Sequence, residues 1–343
     1  MTAPVDAQYY HHKEQFILEN GGILPELTIA YNTYGTLSTD TSNVVWVCHA
    51  LTANSDCEDW WHGLIGKGKV FDPEKYFIVC ANIIGSSYGT TSPCNVNAAS
   101  SIPTHTSFPL ITIRDMVKAH ILLRKHLGIN SLYCLLGGSL GGQQVLEWAI
   151  MESELIHRII PIATNARHSS WGIAWNSAQR MALESDPDFH SLKCGKCKNG
   201  LKAARAIAML SYRQYDTFEY TQKDTDERVD SFNADSYQRH QGDKLVQRFD
   251  AHCYYSLTKS MDSHNVGRNR ISSENALSLI TAKTCVIGID SDLLFPIKEQ
   301  EFIANHVKHS SFHVISSRYG HDGFLLEYEQ LTGIISQFLG KNK

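Results

Sequence analysis

The serine of one glycine-rich turn is the strongest candidate nucleophile in the sequence. Residues 135–143 read LLGGSLGGQ, which places a G-x-S-x-G pattern around Ser139, after an apolar run and before a segment that favours a helix. A strand-to-helix turn that strains its serine accepts only small neighbours, hence the flanking glycines. Such a turn raises the hydroxyl above the sheet edge and directs the Leu140 N–H toward a developing oxyanion. The pattern predicts nucleophilic acyl chemistry at Ser139.

A second match shows how weak the bare motif is. Residues 85–89 read GSSYG, which also fits G-x-S-x-G around Ser87 and also follows an apolar run. The chain then continues into TTSPC, which is typical of a loop. Without a following helix there is neither a sharp turn nor a helix dipole, so we favour Ser139.

A serine nucleophile needs a base, and the base needs an acid to orient it. Two late loops supply them: Asp290 and Asp292 follow the apolar run 285–289, and His321 follows the run 312–316. Asp290 falls at the end of its strand and Asp292 further into the loop, so spacing slightly favours Asp292. The prediction is a Ser139–His321–Asp292 triad.

Three other histidines near the C-terminus are alternative bases: His306, His309 and His313. They fall on the helix expected between the two loops, at its end and on a strand, where a histidine usually has a packing or surface role. The second oxyanion donor is expected from the loop after the first core strand, where the Leu51 N–H is the candidate. The alternative is that residues 49–52 form only a turn.

The elements that must position these residues alternate between short apolar runs and helical patterns. Six runs predict strands buried on both faces, as in a parallel sheet: Val44–His49, Phe77–Ile84, Leu132–Leu136, Ile159–Ala163, Cys285–Ile289 and Phe312–Ser316. Thr112–Leu127 predicts an amphipathic helix. Residues 16–18 and 27–34 predict an antiparallel entry hairpin. Together with the Ser, Asp, His order, these elements indicate an α/β-hydrolase fold.

The stretch from Arg167 to Ser273 breaks this alternation. It contains no strong strand candidate and carries helical patches at Leu201–Tyr212 and Lys244–Leu257. The interpretation is a helical lid inserted into the sheet and packed on the main domain. The predicted division is a core of residues 1–166 and 274–343 with a lid of residues 167–273.

Composition and charge argue against a nucleic-acid-binding or membrane-spanning protein. The chain has 343 residues with a formal net charge of -4 and no basic stripe, which argues against a nucleic-acid partner. No apolar stretch is long enough to span a bilayer, and residues 1–13 lack the pattern of a signal peptide, so a cytoplasmic protein is expected.

Nine cysteines are present, and several lie in apolar runs where they behave as small buried residues, so reduced thiols are expected. The pair Cys194 and Cys197 could indicate zinc or redox chemistry. No second pair or histidine stands at ligand spacing beside it, so the sequence predicts no metal site.

Several longer stretches resemble the homoserine O-acyltransferase family. They run in family order from about residue 45 to 330: His49–Thr52, Trp60–Gly66, Phe108–Met116, the turn sequence GGSLGGQQVLEWA, Ser211–Arg213 and Gly320–Leu325. Jointly they are far more specific than G-x-S-x-G alone. Differences from the family pattern at residues 53–59 and 86–87 leave open the acyl group and the hydroxyl substrate.

The resemblance implies a role for each matching residue. Ser139 would be acylated by acyl-CoA, a co-substrate, with no other cofactor needed. Leu51 and Leu140 would form the oxyanion hole. Three further residues would bind the amino-acid substrate, the first two its carboxylate and the third its amine: Arg213, Tyr220 and Asp322. An ordinary surface charge is the alternative for Arg213.

The expected reaction is ping-pong acyl transfer from acyl-CoA, most simply acetyl-CoA, to L-homoserine, a step of methionine biosynthesis. A carboxylesterase or thioesterase with the same triad is one alternative, and L-serine as acceptor or succinyl-CoA as donor is another. A non-enzymatic binding protein of this fold is disfavoured because all three triad residues are present. By analogy with the family the lid suggests a homodimer.

Overall fold

The computed structural model describes residues 6–94, 107–191 and 194–340. Its strands, in chain order, are β1 (Gln8–His12), β2 (Phe16–Ile17), β3 (Ile23–Leu24), β4 (Leu27–Tyr34), β5 (Val44–Cys48), β6 (Phe77–Ala81), β7 (Cys134–Gly138), β8 (Arg158–Ile162), β9 (Lys283–Ile289) and β10 (Ser310–Ile315).

Helices cover much of the remaining described chain. They are α1 (Cys57–Trp60), α2 (Ile113–His126), α3 (Leu140–Met151), α4 (Ser170–Glu184), α5 (Lys198–Tyr212), α6 (Tyr215–Gln222), α7 (Asn233–Arg248), α8 (Ala251–Asp262), α9 (Ser273–Ser278), α10 (Ile297–His306) and α11 (Tyr328–Phe338). Short 3-10 turns span Ser153–Leu155 and Gly320–Leu325.

Eight strands form one sheet in the order β1-β4-β6-β5-β7-β8-β9-β10. The pairs β1–β4 and β4–β6 are antiparallel, and every other pair is parallel. All six predicted core strands are present, with ends shifted by three residues or fewer. Strands β5 and β7 are buried along their whole length, which explains their continuous apolar sequence. The predicted α/β-hydrolase fold, with its mostly parallel sheet, is confirmed.

The entry hairpin was predicted with the wrong partner. The strand β4 pairs with β1, with Tyr10 opposite Ile29, whereas Phe16 and Ile17 pair with β3 in a separate two-stranded ribbon. The polar sequence of β1 gave no strand signal, because an exposed edge strand needs no apolar run.

The predicted helix of residues 112–127 is confirmed as α2, and its start is a capping box. The Thr112 side chain accepts a hydrogen bond from the Asp115 N–H, while the Asp115 carboxylate accepts one from the Thr112 N–H. Helices α2 and α3 pack on one sheet face, where Trp46 meets Trp148 edge to face at 5.0 Å. Helix α11 covers the other face, beside Trp61.

Helices α4 to α8 lie in the region predicted as the lid, α9 begins at its last residue, and no strand lies in its described part. The predicted patch Lys244–Leu257 is two helices. Helix α7 ends at Arg248, and Asp250 caps α8 by accepting hydrogen bonds from the His252 and Cys253 N–H groups. The core and lid boundaries of 1–166, 274–343 and 167–273 stay a prediction.

Partly buried ion pairs join the end of this helical region to the sheet domain. Arg270 contacts Glu147 of α3 at 2.7 Å, and Arg268 contacts Glu19 at 2.8 Å. Arg114 of α2 bonds to both glutamates. Burial alone would raise the pKa of Glu147, but the neighbouring guanidinium groups lower it below its ordinary value. The end of the helical region therefore packs against the sheet domain.

One cysteine pair departs from the expectation of reduced thiols, because Cys94 and Cys194 form a disulfide. The other seven cysteines are buried thiols outside the disulfide. Within the described ranges, no helix combines the length and the apolarity that crossing a bilayer requires.

Candidate active site

Ser139 occupies the sharp turn between β7 and α3 in a strained conformation, with φ 58° and ψ −125°. Neighbouring backbone fixes that conformation: the Ser139 N–H donates to the Ile162 carbonyl at 2.9 Å, and the Ser139 carbonyl accepts from the Thr164 hydroxyl at 2.8 Å. A non-glycine residue with positive φ persists only where the surrounding structure over-determines it. The sheet therefore holds this side chain in place.

The glycines around the serine are required by close backbone approach. A Cβ atom on Gly141 would lie 2.1 Å from the Cys48 carbonyl oxygen, and one on Gly137 would lie 2.7 Å from it. Helix α3 thus starts in contact with the end of β5, which permits no side chain there. The predicted turn is confirmed.

His321 and Asp292 come together as predicted. The His321 Nδ1 lies 2.6 Å from the Asp292 Oδ2, and both residues are almost fully buried. The other Asp292 oxygen accepts hydrogen bonds from the Leu294 and Phe295 N–H groups. With Nδ1 donating to the carboxylate, Nε2 is the nitrogen that can accept a proton.

Asp290, the alternative acid, is engaged elsewhere. Its carboxylate accepts hydrogen bonds from the Ser316 hydroxyl and the Ser317 N–H. The alternative base His306 bonds at Nδ1 to the Phe302 carbonyl of its own helix, and His313 lies on β10. Ser87, the alternative nucleophile, lies in a loop and accepts a hydrogen bond from the Asp250 N–H.

A cavity of about 320 Å³ brings the predicted residues together. Its lining includes Ser139, His321 and Asp322 with the loop residues Leu51 and Thr52. Leu140 lies directly behind as the first residue of α3, where a helix N–H has no acceptor within the helix. Leu51 thus lines the same cavity as Ser139, and Leu140 follows the serine directly in the chain.

His49 has a role in this loop that sequence reasoning missed. Its Nε2 accepts a hydrogen bond from the Ile83 N–H at 3.1 Å, so the ring proton is on Nδ1, which donates to the Ala50 carbonyl at 2.8 Å. Burial lowers the pKa of His49 to about 4, so the ring is neutral. Because the Ala50 carbonyl and the Leu51 N–H share one planar trans peptide, fixing the first orients the second.

Arg213 and Asp322 form an ion pair at 2.9 Å beside the cavity. Arg213 comes from the end of α5 and Asp322 from the turn that carries His321. The Arg213 Nε is buried and has no hydrogen-bond acceptor within the described part of the chain. A free donor and a carboxylate are therefore available side by side.

Tyr220 was predicted beside Arg213, but the structure does not bring it to the cavity. Its side chain is 70% exposed on α6 and stacks under the Arg318 guanidinium, 4.3 Å from the ring centroid. The Trp, Tyr and Phe residues that do line the cavity are Trp60, Tyr88, Tyr212 and Phe324. Arg205 and Arg248 also line it, and Arg248 donates to the Tyr88 hydroxyl at 2.9 Å across 160 positions of sequence. No local pattern signals such a contact.

Comparison with known proteins follows this geometry. A family model described as the alpha/beta hydrolase fold matches residues 43–328. A homoserine O-acetyltransferase from Cyclobacterium marinum is 45% identical over 342 residues, covering all of this chain and 97% of the relative. The chain belongs to the homoserine O-acetyltransferase family.

Two solved structures with low sequence identity resemble this chain in fold. A crystal structure of homoserine O-acetyltransferase from Bacillus anthracis has a TM-score of 0.88 at 23% identity, with 97% of each chain covered. Esterase E22 has a TM-score of 0.89 at 20% identity, with 97% of this chain and 99% of that chain covered. The homoserine O-acetyltransferase fold is thus shared with an esterase, so the fold does not select the acyl acceptor.

Proposed function

We propose that the protein transfers an acetyl group from acetyl-CoA to the side-chain hydroxyl of L-homoserine through an acyl-Ser139 intermediate. The observation that carries the proposal is the Arg213–Asp322 ion pair beside the cavity that holds Ser139 and His321. Family membership supports the same reaction, and the relative from Cyclobacterium marinum bears that name.

In the first half-reaction, His321 Nε2 takes the Ser139 proton as the serine oxygen attacks the thioester carbonyl. The Leu51 and Leu140 amides donate to the oxyanion that forms. The intermediate collapses as the C–S bond breaks, and the CoA thiolate leaves with the proton that His321 carried. Asp292 stabilises the imidazolium and holds its orientation.

In the second half-reaction, His321 takes the proton of the homoserine hydroxyl, which attacks the acyl-serine. Arg213 offers a planar two-pronged donor to the substrate carboxylate, with its unpaired Nε as one prong. Asp322 would accept the substrate ammonium. The zwitterionic amino acid would thus displace the Arg213–Asp322 ion pair and bind between the two side chains. This position aligns the homoserine hydroxyl, which favours that hydroxyl over water as the attacking group.

The test measures free thiol release with acetyl-CoA or succinyl-CoA, each with L-homoserine, L-serine or no acceptor. The proposal requires a stoichiometric burst with acetyl-CoA alone, turnover only when L-homoserine is added, and neither with Ser139→Ala. Acceptor-independent turnover would support a thioesterase. Faster turnover with L-serine or succinyl-CoA would reassign the substrates, and an absent burst in active protein would exclude the ping-pong route.

We also propose that the protein is a homodimer formed through the lid. Large apolar side chains are exposed on its helices, among them Trp171 at 51%, Met181 at 65% and Leu210 at 49%. Sedimentation equilibrium should give twice the chain mass for the wild type and the chain mass for Met181→Lys. Val314→Lys, on the edge strand β10 away from the lid, is the matched control and should leave the mass unchanged. Because the proposed donor is a cytoplasmic metabolite, we place the enzyme in the cytoplasm.

A further inference from the structure

A cluster of thiol, carboxylate and imidazole groups lies outside the catalytic cavity, at the start of α8. Cys94 follows β6, Cys194 precedes α5, and Cys253 is in the first turn of α8. The ligand atoms of Cys94, Asp250 and Cys253 lie within 4.8 Å of one another, as do those of Cys194, Asp250 and His252. Asp250 belongs to both groups, so its carboxylate is close to every other member.

We propose that Cys94, Cys194, Cys253 and Asp250 bind one Zn²⁺ ion in the reduced protein. Zn²⁺ takes four ligands in a tetrahedron, with bonds of about 2.3 Å to sulfur and about 2.0–2.2 Å to oxygen. Two sulfur ligands then stand about 3.8 Å apart. The Sγ atoms of Cys94 and Cys253 are 4.0 Å apart, which is close to that edge.

The groups behind these ligands have the arrangement that metal sites use to orient carboxylates. Asp250 accepts hydrogen bonds from the Gly195 and His252 N–H groups, both at 2.8 Å. The His252 Nε2 donates to the Phe189 carbonyl, and its Nδ1 lies 3.6 Å from the Asp250 Oδ1.

Reduction must precede binding, because Cys94 and Cys194 are joined by a disulfide in this structure. A phosphine reductant takes oxygen from one water molecule, and the disulfide gains two electrons and two protons to give two thiols. Three thiols then each release one proton to solvent as their sulfurs bind the metal, and the Asp250 carboxylate binds without proton loss.

The ion would crosslink the helical region to the loop after β6. The site joins the segments that precede α5 and α8 to the loop after β6, and in that loop Ser87 accepts the Asp250 N–H. The next residue, Tyr88, lines the catalytic cavity. Binding of Zn²⁺ is therefore expected to raise the melting temperature, because the ion binds only the folded arrangement.

Cys197 provides the matched control. It is separated from Cys194 by only two residues, yet its thiol donates to the Leu183 carbonyl at 3.6 Å and belongs to neither ligand group. Cys194 thus belongs to the candidate metal site, whereas Cys197 bonds to the Leu183 carbonyl of α4.

The experiment titrates phosphine-reduced, chelator-treated full-length protein with Zn²⁺ and, in parallel, with Co²⁺. The expected result is one metal ion per chain, with thiolate-to-cobalt charge transfer in the near ultraviolet. Cys94→Ser and Cys253→Ser should each lower metal affinity about 100-fold or more, and Cys197→Ser should bind as the wild type does. Circular dichroism verifies that each variant is folded.

The proposal is overturned if the reduced wild type binds no stoichiometric metal or gives no thiolate-to-cobalt band. It is also overturned if Cys197→Ser weakens binding as much as Cys253→Ser. Should a cysteine variant fail to fold, the wild-type stoichiometry and spectrum still decide. The readout is independent of acyl transfer, so the two proposals succeed or fail separately.

Discussion

The sheet edge and the helical region contribute to the same cavity in different ways. At the sheet edge, Ser139 is held by backbone hydrogen bonds between adjacent strands and by glycines with no room for a side chain. From the helices, Arg248 lines the cavity and donates to Tyr88, and Arg213 pairs with Asp322 of the cavity wall. The rigid part is suited to acyl-enzyme chemistry, and the helices are suited to acceptor choice.

The largest expected effect is at the acid of the rigid part. Asp292→Asn should lower kcat about 10⁴-fold, because the amide can no longer hold the imidazole in the tautomer that accepts a proton. The control Asp290→Asn removes a nearby loop carboxylate that bonds to Ser316 and Ser317, and should keep activity within a few-fold. Steady-state thiol release measures both. An equal loss of kcat in both variants would show that Asp292 supports the loop structure and does not act by holding His321.

A second prediction tests whether the turn itself is rigid. Gly141→Ala would place a methyl group 2.1 Å from the Cys48 carbonyl oxygen, and backbone cannot move aside as a side chain can. The free energy of unfolding should fall by about 3 kcal/mol in urea denaturation. Gly333→Ala, on α11 with open space around it, is the matched control and should not destabilise. Wild-type stability in Gly141→Ala would contradict the close approach.

The third prediction separates the two regions. Arg213→Ala should raise KM for L-homoserine about 100-fold, because a charge-assisted pair to the carboxylate is lost. The acetyl-CoA burst should be unchanged, because acylation belongs to the sheet edge.

The matched control for Arg213→Ala is Arg239→Ala. Arg239 is a 75% exposed arginine of α7 paired with Asp235, and its removal should alter neither parameter. Loss of the burst in Arg213→Ala would show that the helices also serve acylation.

The smallest expected effect is on the pH dependence of stability and concerns His120, a buried histidine of the sheet domain. Burial lowers the pKa of His120 to about 3 from an ordinary 6.5. Between those values the unfolded chain binds the proton and the folded chain does not, so stability is complete above pH 6.5 and falls on acidification. From pH 7 to pH 5 this histidine should cost about 2 kcal/mol of stability.

His120→Phe should remove that share of the pH dependence while keeping a ring between Trp46 and Trp148. His240→Phe, at an exposed position of α7, should leave the wild-type pH dependence. Urea denaturation at both pH values measures the difference. Equal slopes in wild type and His120→Phe would contradict a neutral buried ring.

Local sequence rules worked where neighbours in the chain set the structure. The six core strands, the turn at Ser139 and the capped helix α2 each follow from patterns within about fifteen residues. The same rules were wrong for the partner of β4, since an exposed edge strand leaves no apolar signal. Tyr220 came from the family resemblance, and its side chain does not line the cavity in this structure. The catalytic roles of Ser139, His321 and Asp292 stay a prediction until the variants are measured.

The sequence by itself determined the α/β-hydrolase fold, the strained serine turn and the order of serine, acid and base, because backbone conformation and apolar burial depend on local residue types. Only the tertiary structure decided that Asp292 and not Asp290 meets His321, that His49 orients the Leu51 peptide, and that Cys94, Cys194 and Cys253 converge on Asp250. The cause is physical: short-range polar contacts depend on distances across the fold, and segments 29 to 159 residues apart carry no local record of being neighbours.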